Sequence, residues 1–199
     1  MVEMVLARWT RRSPWADVAA PGRIGPGGAP GVTIEALQGL GLAMLIVAGE
    51  GRPALAGAIA GRLGIALPET PLIRRAGSFA AAWAGPDRWM LVADDRDALR
   101  SACADLEELA AVSEQSDGWA ALRLSGPAVR RALAKGFIID LHPAAFGDGA
   151  VALTAVAHMN VAIWREGETF TILVPRSMAG SFWSWLSASA AEFGCDVRG

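Results

Sequence analysis

The chain has 199 residues, of which 53% are hydrophobic and 19% charged, with a formal net charge of -2. That length supports a real core, and the apolar share exceeds the roughly 45–50% usual for globular domains, which points to surface covered by a partner. The charge balance gives no support for nucleic-acid binding, and the longest apolar run, from Gly39 to Gly49, is shorter than the roughly 20 residues of a membrane span.

Residues 1–31 read as a flexible N-terminal arm in which Arg8, Arg11, Arg12 and Arg23 sit among Leu6, Trp9 and Trp15. The arm ends in "PGRIGPGGAPG". Three prolines interrupt that glycine run and no lysine–serine pair follows, so it reads as a linker rather than a phosphate-binding loop. Residues 32–199 then read as one domain. "LAMLIVAG" predicts a buried strand, and Arg52-Pro53 opens a helix carrying Leu55, Ile59 and Leu63 that stops at Gly64. "SFAAAWAGPDRWMLVA" predicts a hairpin turning at Gly85-Pro86-Asp87. Asp94 or Asp95 caps the next helix, whose apolar stripe is Leu99, Ala102, Cys103, Leu106, Leu109 and Ala110.

The second half runs through the same order. "WAALRLSG" is a strand, Gly126-Pro127 opens a helix, and "VALTAVAHMNVAIW" and "TFTILVP" are strands joined at Arg165–Glu168. Ser177 is expected to cap a last helix with Met178, Phe182, Trp185, Leu186 and Phe193 on one face. An offset of 74 residues places Pro53 on Pro127, Leu55 on Val129, Ile59 on Leu133 and Leu63 on Phe137. An offset of 81 places Trp83 on Trp164 and Trp89 on Phe170. The fold class is therefore α+β, built from duplicated strand–helix–strand–strand–helix units over approximate halves 32–115 and 116–199.

Chemistry-bearing residues are few. His142 sits near Asp140 in "DLHPAAF", an Asp-x-His pair compatible with acid–base work and equally with a loop that satisfies backbone amides. His158 interrupts an apolar alternation at an expected strand centre. Cys103 lies on the apolar stripe and reads as core, and neither it nor Cys195 has zinc-ligand spacing, so both read as reduced thiols of a soluble, cytoplasmic protein. Eight carboxylates between Asp94 and Asp117 face only Arg96 and Arg100, and read as a solvated helix face or a surface for a basic partner. Trp185 is placed in the core, whereas Trp183, two residues away, is expected to be exposed and available as an interface anchor.

"WAGPDRWMLVADD", "LRLSGPAVRRALAKGFIIDLHPAAF" and "FTILVPRSMAGSFWSWL" together resemble the gamma subunit family of heterotetrameric sarcosine oxidase. That family is itself similar to the folate-binding domain of the glycine-cleavage T-protein, a duplicated α+β fold. The resemblance implies a non-catalytic structural subunit with alpha-, beta- and delta-type partners. The complex would demethylate sarcosine to glycine, form hydrogen peroxide and pass the one-carbon unit to tetrahydrofolate. FAD, FMN, NAD, zinc and tetrahydrofolate would lie in the other subunits, so no catalytic, cofactor-binding or metal residue is assigned to this chain. "KGFIIDL" lacks the cysteine of the Lys-Gly-Cys motif found in the iron–sulfur-assembly branch of the superfamily. The alternatives are the equivalent subunit of an N-methylglutamate dehydrogenase and a stand-alone folate-binding aminomethyltransferase-like protein. In the latter, Asp140 or Asp148 would be the carboxylate that holds the pterin ring.

Overall fold

The computed structural model describes residues 12–199. Among the described residues twelve strands and four α-helices form four layers. The strands are β1 (Gly22–Ile24), β2 (Val32–Leu37), β3 (Gly41–Ile46), β4 (Ile73–Ala76), β5 (Phe79–Gly85), β6 (Arg88–Ala93), β7 (Ala111–Glu114), β8 (Trp119–Ser125), β9 (Val151–Val156), β10 (Met159–Glu166), β11 (Thr169–Pro175) and β12 (Cys195–Arg198). The helices are α1 (Arg52–Leu63), α2 (Arg96–Ala104), α3 (Val129–Leu133) and α4 (Ala179–Ala191).

A five-stranded sheet has the order β4-β5-β6-β3-β7, and a seven-stranded sheet the order β1-β12-β2-β8-β11-β10-β9. Leu55 and Ile59 of α1 and Leu99 and Cys103 of α2 bury against Leu45, Trp89 and Leu91 of the smaller sheet. Val129 and Leu133 of α3 and Phe182 and Leu186 of α4 bury against Ile34, Leu122, Ile163 and Phe170 of the larger one. Between the sheets lie Leu42, Ala80, Ala82, Met90 and Val92 from one and Ala121, Ala162, Trp164 and Leu173 from the other. With both faces covered, the central strands read as continuous apolar runs rather than alternations.

The duplication is visible in the strand orders. β9-β10-β11-β8-β2 reproduces β4-β5-β6-β3-β7 with one exchange: β2 leads into β3 but pairs with β8, and β7 leads into β8 but pairs with β3. Each sheet is thus completed by the strand that introduces the other. The aromatic pairs keep their faces: Trp89 and Phe170 lie under the helices, while Trp83 and Trp164 pack in the layer between the sheets. The equivalent lead-ins to β4 and β9 bond to each other, with Ile73 N–H donating to Gly149 O at 2.8 Å and Val151 N–H to Pro71 O at 3.0 Å. Arg75 on β4 also bonds Glu166 on β10 at 2.7 Å, and that carboxylate accepts Trp164 Nε1–H at 2.9 Å.

Several sequence expectations are corrected. The arm is not a free linker over its described part. Trp15 is 1% exposed and donates Nε1–H to Ala121 O at 3.0 Å, and Gly22–Ile24 pair antiparallel with Cys195–Val197. Met1–Arg11, with Trp9, Arg8 and Arg11, lie outside the described residues. "VALTAVAHMNVAIW" is two strands, not one. Val156 pairs with Met159 across a two-residue turn in which Ala157 and His158 have φ of 46° and 67°. Such a turn needs positive φ at both central residues and is usually signalled by Asn-Gly or Asp-Gly. His158 is therefore exposed at a turn rather than central in a strand. Each unit consequently carries three strands after its first helix, not two. Ser177 does not cap α4; it sits inside a 3-10 turn, Arg176–Met178, that leads into the helix, and no side chain caps either element. Asp95 does cap α2, accepting Ala98 N–H at 2.8 Å. Trp183 and Trp185 are both half-buried against the helix-side core of the larger sheet, so Trp183 is not an exposed anchor and Trp185 is not a fully buried one.

Candidate functional site

Asp140, His142 and Asp148 each accept a hydrogen bond from a backbone N–H. Asp140 Oδ1 accepts His142 N–H at 2.8 Å, and His142 Nδ1 accepts Ala144 N–H at 3.2 Å. Each bond spans two residues, the short-range turn geometry that Asp and its polar relatives supply. Asp148 Oδ1 accepts Gly167 N–H at 2.7 Å and so ties the loop before β9 to the β10–β11 turn. Both carboxylates serve backbone donors in exposed loops, each through Oδ1. Among the described residues no group of three or more His, Cys, Asp or Glu side chains is placed to hold a metal ion. Both thiols are buried, and burial pushes each up to about 11, with Glu114 and Glu107 adding to the shift at Cys103 and Asp196 at Cys195. A thiol held that high is protonated near neutrality and is a poor nucleophile.

The β10–β11 turn is held by a second set of charges. Arg165, 8% exposed, donates from Nε to Gly167 O at 2.7 Å, from Nη1 to Phe146 O at 3.1 Å and from Nη2 to Glu168 Oε1 at 2.7 Å. Arg130 on α3 reaches the other oxygen of Glu168 at 3.0 Å and lies 5.3 Å from the Phe170 ring centroid. Hydrogen bonds from Arg130 and then Arg165 hold the Glu168 carboxyl below its ordinary value. The "WREGE" turn is thus a built corner of the fold.

A recess that sequence reasoning did not find opens at the end of the sandwich where the two halves meet. It has a volume of about 220 Å³ and is walled by Leu37, Leu40, Leu42, Trp119, Arg96 and Arg176. The β2–β3 and β7–β8 connections approach it from equivalent positions, as do the junctions after β6 and β11. Arg96 is 9% exposed; it bonds Ser116 O at 3.0 Å and pairs with Asp117. Ser116 Oγ accepts Leu42 N–H at 2.9 Å, which fixes the two connections to each other. Hydrogen bonds from Ser116 hold Glu114 below its ordinary carboxyl range. Arg176 Nη2 donates to Arg12 O at 2.7 Å and closes the arm over the recess. These contacts tie the arm and the two halves together, while Arg96 Nε stays buried without a hydrogen-bond partner. Arg96 lay within the acidic run in sequence, and no local pattern marks an arginine that folds inward to meet a loop twenty residues away.

Comparison with known proteins agrees with this picture. The profile of the sarcosine oxidase, gamma subunit family matches residues 48–192. A sarcosine oxidase subunit gamma from Corynebacterium sp. (strain U-96) is 30% identical over 180 residues, covering 89% of this chain and 78% of that protein. A sarcosine oxidase subunit gamma from Arthrobacter sp. is 34% identical over 123 residues, 60% of this chain and 61% of that protein. Among solved structures, a chain of the heterotetrameric sarcosine oxidase from Corynebacterium sp. U-96, in complex with pyrrole 2-carboxylate, superposes with a TM-score of 0.78 at 30% identity. The match covers 92% of this chain and 96% of that one. The glycine cleavage system aminomethyltransferase T from Bartonella henselae shares the fold, with a TM-score of 0.59 at 16% identity over 85% of this chain and 48% of that one. The duplicated two-sheet architecture, the matched profile and the near full-length relative together establish that the chain belongs to the sarcosine oxidase gamma subunit family.

Proposed function

We propose that this chain is a non-catalytic, structural subunit of a heterotetrameric complex that oxidises sarcosine to glycine with formation of hydrogen peroxide. The observation that carries the reading is the match, over 92% of this chain and 96% of the other, to a chain of a heterotetrameric sarcosine oxidase. The site geometry supports the structural role: Asp140, His142, Asp148 and Arg165 each hold backbone groups in place. In this reading the flavins, NAD, zinc and tetrahydrofolate sit in alpha-, beta- and delta-type partners, and this chain contributes to assembly and stability.

The test is coexpression of all four subunits with and without this chain, followed by measurement of stoichiometry, bound flavin and sarcosine-dependent peroxide. The expected result is poor recovery of the assembled complex without the chain, with flavin still carried by the partners. Tight tetrahydrofolate binding or turnover of a substrate by the isolated chain would refute the structural reading and favour a folate-dependent transferase.

A further inference from the structure

The two halves differ at one pair of equivalent places. On α4 the buried positions include Ala179, Phe182, Leu186 and Ser189, with Ala190 beside the last, and on α2 and its extension they are Arg96, Leu99, Cys103 and Leu106. Both series are spaced three, four and three residues apart, so the helices align with an offset of 83 residues, and Trp185 corresponds to Ala102. The 74-residue offset of the first helices makes Gly136 and Phe137 the counterparts of Arg62 and Leu63. In the second half Trp185 fills the space between its helices. It lies edge-on to Phe137 at 6.1 Å between ring centroids, and a Cβ on Gly136 would stand 2.6 Å from its indole. α3 and α4 pack directly on each other there.

In the first half that aromatic side chain is missing. Ala58, Leu63, Ala98, Ala102 and Leu106 line an open groove of about 370 Å³ between α1 and α2, floored by Phe79 of β5. Its mouth is flanked by Arg62, which pairs with Asp105 at 3.3 Å. Along the α2 side Asp97 pairs with Arg100 and Asp105 with Arg62, and the exposed Glu107 and Glu108 leave the flank with an excess of negative charge. We propose that this groove is a docking site for a partner subunit of the complex, which inserts one large aromatic or branched aliphatic side chain, flanked by basic residues, where Trp185 stands in the other half. The duplication itself specifies the occupant's chemistry, since the same helix pair elsewhere in the chain is closed by an indole. The acidic flank specifies the sign of its neighbours, because complementary charge sets partner choice at an interface rim. A buried aromatic anchor in a pocket is the arrangement in which interface energy concentrates.

The proposal rests on the assembly reading above, and the experiment separates the two. The full chain is coexpressed with its three partners and captured through a tag on one of them. Failure of the wild-type chain to be captured refutes both readings. Ala102→Trp fills the groove from within, and is expected to keep a melting temperature at or above wild type while capture falls at least tenfold. If Ala102→Trp does not fold, Ser101→Arg, at an exposed position on the same wall, is expected to give the same tenfold loss with unchanged melting. A folded variant captured at the wild-type level overturns the docking site while leaving the subunit role standing. Amide exchange over residues 58–63 and 98–106 is expected to slow at least tenfold on assembly, and unchanged exchange overturns the proposal. An isolated chain that is dimeric, and monomeric only as Ala102→Trp, overturns it in favour of a second copy as occupant.

Discussion

Trp15→Ala tests whether the N-terminal segment belongs to the folding unit. The indole is 1% exposed, lies 6.4 Å from the Phe182 ring centroid and bonds Ala121 O across 106 residues of sequence. A buried tryptophan removes up to about 250 Å² from water, which at about 25 cal/mol per Å² is roughly 6 kcal/mol against an extended chain. Measured truncations of buried Phe or Trp fall at about 3–5 kcal/mol, and a carbonyl left without its donor belongs inside that range rather than on top of it. The expected loss for Trp15→Ala is therefore about 4 kcal/mol, a fall of roughly 8–16 °C in melting temperature for a chain of this size. Trp15→Phe keeps most of the ring and loses the hydrogen bond, for about 1–2 kcal/mol. Urea denaturation followed by tryptophan fluorescence and far-ultraviolet circular dichroism reads both. A Trp15→Ala variant within about 0.5 kcal/mol of wild type, the range expected of a surface substitution, would refute the claim that the segment is part of the core.

Gly136→Ala forces a Cβ against the Trp185 indole and is expected to cost about 1–3 kcal/mol. Adding Trp185→Ala should remove most of that increment, since contacting residues are not additive; strict additivity in a double-variant cycle would show that the contact is absent. The thiols predict alkaline behaviour. Unfolded cysteine ionises near 9.0 and the native thiols near 11, so their stabilisation is complete below pH 9 and is lost as pH rises towards 11, by roughly 3 kcal/mol per thiol at most. With no tyrosine and a single lysine, few other groups titrate in that window. Denaturation midpoints at pH 8 and pH 10.5 should differ for wild type and converge for the Cys103→Ala/Cys195→Ala variant, whereas no pH dependence in wild type would contradict the burial argument. Asp140→Asn and His142→Ala are expected to leave sarcosine-dependent peroxide formation by the complex within about twofold. A 100-fold loss with assembly intact, the scale of a general acid–base group, would make the pair catalytic.

Local chemistry set the elements that were legible from the sequence. Pro53 in the first turn, Gly64 in a left-handed cap and Asp95 bonding Ala98 N–H fix the helix ends through residues within a few positions of each other. The duplication was legible too, because equivalent positions in a repeat share their burial, and Trp89 and Phe170 do occupy the same face. The Ala157-His158 turn carried little signal, since alanine disfavours positive φ and histidine adopts it only occasionally, and the pairing of β9 with β10 imposes it. What lay beyond local reach was decided by tertiary structure. Trp15 finds its acceptor 106 residues away, and Arg96 turns inward to Ser116 O instead of joining the exposed acidic face. The exchange of β2 and β7 between sheets leaves no trace in either strand, because the backbone groups that form a ladder are the same whichever strand supplies them, and the side chains of β2 (alternating) and β7 (mostly exposed) do not name a partner. The same holds for the groove between α1 and α2. Alanine at position 102 is a good helix residue in any context, and only the packed position of Trp185 in the other half shows that a large side chain is missing there.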